Sequence, residues 1–117
     1  MTGYENLDVW QKSVALVTDI YQLLKQFLKE ETYVLADQIR RAAISIPSNI
    51  AEGSSRNSKK EFIQFLYIAL GSICELETQL LIAKNIGYLS DIQPIKKETE
   101  IIKKMLNALI TSLKNAI

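Results

Sequence analysis

Apolar residues recur at helical spacing in four segments of the chain, and no segment alternates as a strand would. In the first, Leu7, Trp10, Val14, Val17, Tyr21, Leu24 and Leu28 follow a 3-4-3-4-3-4 spacing. Val9, Leu16, Ile20, Leu23 and Phe27 run beside them as a second line. In the second segment Leu35, Ile39, Ala42, Ile46 and Ile50 share one side, and Gly53 is a natural stop because it adopts the left-handed conformation cheaply. The third opens with Ser58 and Glu61, spaced as a capping box. Phe62, Leu66, Ala69, Ile73, Leu76, Leu80 and Ala83 then form one line, and Ile63, Tyr67, Leu70, Cys74 and Leu81 another. That helix is expected to end near Gly87. In the fourth, Asp91 can cap a helix whose first turn accepts Pro94, and Ile92, Ile95, Ile102, Leu106, Leu109, Leu113 and Ala116 form its seam.

The spacing predicts helices over about 6–28, 32–53, 58–86 and 91–115. Links of a few residues force sequential helices to lie antiparallel. The predicted fold is all-α, a single antiparallel up-down-up-down four-helix bundle spanning 1–117.

Pro47 interrupts this pattern. It has no N–H to offer the Ala43 carbonyl and crowds it, at a cost of roughly 3 kcal/mol in a helix interior. Ile50 nevertheless stays in phase with Ile46, Ala42 and Ile39, so a bend is expected rather than a break, with the Ser45 and Ser48 hydroxyls available to freed carbonyls. Arg40 and Arg41 sit upstream on the same segment. Folding the chain near residues 55 and 56 sets them near Leu70 and Gly71, where small residues admit long side chains. Glu75 and Glu77 lie within about a turn and a half. An ion pair between one of these arginines and Glu75 or Glu77 is expected, within one chain or between chains, with a ligand-facing role as the alternative.

Composition narrows the chemistry. Lys plus Arg number 14 and Asp plus Glu 13, so no global field draws the chain to nucleic acid or an anionic membrane. There is no histidine, hence no histidine base, nucleophile-activating pair or histidine metal ligand. No Glu-x-x-His pair or glycine-rich phosphate loop occurs. Catalysis, metal and cofactor are therefore not expected. Cys74 excludes an intrachain disulfide as the one cysteine, fits a reducing compartment, and reads as a small buried hydrophobe. The start, MTGYENLDVW, lacks a signal pattern, and FIQFLYIAL is far short of the roughly 20 residues of a membrane span. A soluble cytoplasmic protein is expected. One cluster suits an anion: GSSRNSKK places Arg56, Lys59 and Lys60 beside hydroxyl and amide side chains at a helix start, though an ordinary capped loop is the simpler reading. Lys96, Lys97, Lys103 and Lys104 are interspersed with Glu98 and Glu100 and read as a solvated face.

Three stretches, YENLDVWQKS, QIRRAAISIPSNIAEGSSRNSKKEF and FLYIALGSICELETQLLIA, carry a family resemblance over roughly residues 4 to 88. The chain resembles the four-helix-bundle proteins encoded in intervening sequences of bacterial 23S ribosomal RNA genes. The resemblance implies a left-handed antiparallel bundle, a ring-like homopentamer and no established enzymatic activity. It also implies kinship with accessory variability proteins of diversity-generating retroelements, which are thought to bind nucleic acid and a reverse transcriptase through a basic surface. Within the matching stretch, Arg40, Arg41, Arg56, Lys59 and Lys60 are the candidates to contact RNA or DNA phosphate. Pro47, Gly53, Gly71, Glu75 and Glu77 are the structural candidates.

Self-association has separate support in the pattern. The first segment carries two apolar lines and the third three, whereas a lone bundle covers about one broad stripe per helix. Closed symmetry between copies would bury the excess. The expected function is a non-enzymatic homo-oligomeric scaffold presenting small basic patches to RNA or a nucleoprotein. The alternative is a structural or protein-interaction module without nucleic acid.

Overall fold

The computed structural model describes residues 3–27 and 33–116. Its four α-helices are α1 (Asp8–Leu23), α2 (Tyr33–Ser54), α3 (Lys59–Asn85) and α4 (Gln93–Asn115), and no strand occurs among the described residues. Short 3-10 turns at Tyr4–Asn6 and Leu24–Gln26 flank α1. The helices pack as a bundle about 48 Å long and 20 Å across. α2 and α3 share the most extensive interface, followed by α1 with α2, α3 with α4, and α1 with α4.

Local chemistry sets the helix ends. The Ser58 side chain accepts from the Glu61 N–H at 3.1 Å in extended backbone, which fixes the start of α3. Gly87, at φ +88°, ends that helix as expected, with the Tyr88 N–H returning to the Ala83 carbonyl at 2.8 Å. The Asp91 carboxylate accepts from the Gln93 N–H at 3.0 Å where α4 begins, and Pro94 sits in its first turn. α1 ends earlier than its apolar spacing suggested. Its last turn tightens to 3-10 at Leu24, and Phe27 leaves in extended backbone to meet Tyr88 edge-on at 5.5 Å. Leu28 and Thr32 lie outside the described residues.

The core contains most of the expected seam on α2, α3 and α4: Ile39, Ile46, Ile50, Leu66, Ile73, Leu76, Ile102 and Leu106 are fully buried. On α1 the outcome reverses. The regular line is mostly the outer one, with Val14 and Tyr21 exposed and only Leu24 of it buried, while Val9, Leu16 and Ile20 of the second line are buried. Ser13 completes that buried row, its hydroxyl donating to the Trp10 carbonyl at 2.8 Å. Thr99 fills the same kind of gap between Ile95 and Ile102 on α4.

α2 continues through Pro47, as the phase of its isoleucines required. Ile46 and Ile50 are completely buried on either side, and their burial offsets the lost hydrogen bond. The Ser45 hydroxyl donates to the Ala42 carbonyl at 2.7 Å rather than to that of Ala43. Gly53 does not act as a left-handed stop: α2 runs through it to Ser54, and its φ is not positive. It is buried against Phe62 and Phe65 of α3. A Cβ there would stand 2.5 Å from Phe65 Cβ and 3.0 Å from Phe62 Cδ1, so the glycine is needed for approach rather than for turning. Gly71, by contrast, has open space where a Cβ would be.

α3 is long and apolar enough to cross a membrane by length and composition, which the short FIQFLYIAL run did not suggest. Its apolar window of 18 residues carries past that run through Ile73, Cys74 and Leu76. Only 28% of that window is buried.

Candidate interaction surfaces

The contact of Gly53 with Phe62 and Phe65 sets the end of α2 against the first turns of α3. It places Arg41 and Glu75 on one groove of about 320 Å³, together with Gln38 and Gln79 beyond them and Ser45, Asn49 and Ser72 before them.

Within one chain the expected arginine–glutamate pairs do not form. Arg41 Nε instead donates to Asp37, one turn back on its own helix, at 3.0 Å, and its side chain is 79% exposed. Arg40 lies with its guanidinium 5.3 Å from the centre of the Tyr21 ring on α1. Adjacent helix positions point about 100° apart, so the two arginines address different seams. Glu75 and Glu77 diverge for the same reason. Glu77 faces α4, where it accepts from the buried Thr99 hydroxyl at 2.6 Å and from Lys103 at 3.0 Å. Lys103 also bridges to Glu100 at 3.0 Å. The hydrogen bond to Glu77 is the main reason the Lys103 ammonium titrates above the ordinary lysine range.

The loop cluster is partly neutralised. Arg56 pairs with Glu52 at 2.7 Å and stacks over Phe65 at 4.9 Å. Lys59 donates to the Ala116 carbonyl at 3.3 Å, while Lys60 is exposed. The five basic candidates thus occupy two separate stations, Arg40 and Arg41 midway along α2 and Arg56, Lys59 and Lys60 at the α2–α3 turn.

Three features lay beyond the sequence reading. Cys74 is exposed rather than buried, at the rim of a cavity of about 290 Å³ that also touches Leu81, Lys96 and Thr99. Along its apolar line on α3, Ile63 is buried while Tyr67 and Leu81 are exposed as well. Glu98, near Asp19 of α1, has its carboxyl raised to about 7, first by burial and then by the hydrogen bond and charge of Asp19. Gln79 Oε1 is buried without a hydrogen-bond partner among the described residues. No group of three or more Cys, Asp or Glu side chains suited to a metal occurs among the described residues.

Residues 5–108 match the model of the 23S rRNA-intervening sequence protein family. The chain belongs to that family. A crystal structure of a protein of unknown function from the S23 ribosomal protein family of Bacteroides thetaiotaomicron is similar to it, with a TM-score of 0.80 and 30% identity. The similarity covers 87% of this chain and 97% of that one. No curated protein matches. Two segments within the stretches that carry the family resemblance, SIPSNIAEG and GSICELETQL, contribute side chains to the α2–α3 groove in this family member.

Proposed function

We propose that this family member is a non-enzymatic, homo-oligomeric helical scaffold of the cytoplasm that presents repeated basic patches to RNA or a nucleoprotein. The observation that carries the self-association is α3: a helix apolar enough for a bilayer leaves Tyr67, Ile68, Leu81, Ile82 and Ile86 exposed. Exposed apolar side chains grouped along one helix, rather than scattered singly, mark interaction sites. Copies of the Arg56, Lys59 and Lys60 station, brought together by symmetry, supply the positive field that one chain lacks. A ring of five is the assembly that the family resemblance implies.

A second reading, a protein-interaction module without nucleic acid, draws on the pairing of Arg41 with Asp37 and of Arg56 with Glu52. Titrating labelled RNA at low and raised salt separates the two. Binding that weakens steeply with salt, and that Lys59→Glu with Lys60→Glu abolishes, supports the first. Binding that is absent at low ionic strength supports the second.

A further inference from the structure

The hydroxyls of the α2–α3 groove are already committed, and Arg41 on its lining turns Nε to Asp37. The Ser45 hydroxyl donates to Ala42, that of Ser72 to Ile68 at 3.1 Å, and the Asn49 amide to the Ser45 carbonyl at 2.7 Å. Their oxygens remain as acceptors, beside the unpartnered Gln79 Oε1. The Glu75 carboxylate is exposed and makes no ion pair among the described residues. A site rich in acceptors and holding a buried unsatisfied oxygen calls for a cation with several N–H donors, and the guanidinium is the side chain built that way.

Both ends of the groove are apolar. Ile68 lines one end and is 51% exposed. One turn past Gln38 and Gln79, Val34 and Ile82 are 68% and 46% exposed, and Ile86 continues the row. Ile68, Ser72, Glu75, Gln79, Ile82 and Ile86 form an unbroken 4-3-4-3-4 stripe on α3. Apolar shoulders about a polar centre describe a protein partner rather than a small ion.

The same chain carries the complement one seam away. On the α1–α2 face Val14, Tyr21 and Ile44 are exposed, and Arg40 lies across Tyr21 with no carboxylate partner among the described residues. We infer that the α2–α3 groove of one copy receives the α1–α2 face of a second copy, with the second copy's Arg40 guanidinium meeting Glu75 and Gln79. The two faces differ, so the contact is head-to-tail and can close into a ring. This inference rests on the proposed self-association and adds the faces and the pair that join the copies.

Light scattering on the full chain tests it with wild type, Arg40→Glu, Glu75→Arg and the double variant, each checked for helical circular dichroism. The wild type is expected to associate, each single variant to dissociate, and the charge-swapped double variant to reassociate. The milder Arg40→Gln and Glu75→Gln serve if a reversed charge disturbs folding, each weakening association by about 10-fold or more. An associated wild type whose single variants also stay associated would exclude these faces while leaving self-association standing. Singles that dissociate without rescue in the double would overturn the Arg40–Glu75 pairing. A wild type that is monomeric throughout removes the self-association itself.

Discussion

Glu75 and Glu77 leave α3 two residues apart and enter different seams. Glu77 turns to α4 and is enclosed by Thr99 and Lys103. Glu75 turns to α2, where its level partner Arg41 leans toward Asp37 and the neighbouring Gln79 oxygen has no donor. One seam is complete within the chain and the other is open. The difference shows where a fold closes its own polar groups and where it leaves them for another molecule. Closure is costly to disturb because a desolvated partner is stranded, whereas an open carboxylate can be changed with little effect on the isolated fold.

Perturbing each seam sharpens that contrast. Gly53→Ala forces α2 off Phe65 at the tight end of the α2–α3 seam and should cost about 2 kcal/mol or more in urea unfolding. An unchanged midpoint would mean that the helices are not held at this distance. Glu77→Ala removes the carboxylate shared by Thr99 and Lys103 and leaves them only the Lys96 carbonyl and Glu100, and thermal melts should register a loss of roughly 1 kcal/mol. Glu98 tests the α1–α4 seam through pH. Its folded pKa is raised from 4.5 to about 7, so the folded state holds a proton that the unfolded chain gives up. Its contribution is full below about 4.5 and is lost as pH rises through about 7. Asp19 and Lys12 of α1 lie at the same seam. Glu98→Gln should flatten this slope and raise stability at pH 8 by roughly 1 kcal/mol, allowing for solvent screening. A slope that survives the substitution would place the titration elsewhere. The smallest effect belongs to Glu75→Gln, below about 0.5 kcal/mol in dilute, unassociated protein. A larger loss there would show that Glu75 is already paired within the chain.

Much of the helical layout was legible because the seams of α2, α3 and α4 are mainly isoleucine, leucine and alanine at helical spacing, and because Ser58, Asp91 and Gly87 mark ends by hydrogen bonding or by a positive φ. The α1 core row was hidden by Ser13, a polar residue that becomes buried by donating to its own helix. Thr99 and Ser72 are buried by the same device. Gly53 was misread because a glycine near a helix end signals a turn and a close approach alike, and only the neighbouring helix decides. Burial of Cys74 depended on how far α4 reaches across α3, which spacing on α3 does not encode. The basic candidates were identifiable by type, but their partners were not. Asp37 and Glu52, each four residues back along the chain, compete for Arg41 and Arg56 against anything more distant.

The central claim is that this chain encodes more interacting surface than one copy can cover. Sedimentation equilibrium over a dilution series of the full chain measures it directly. The account predicts a mass that is a multiple of 13.3 kDa and falls toward that value only on dilution. A single 13.3 kDa species at every concentration, folded and free of aggregates, would contradict it.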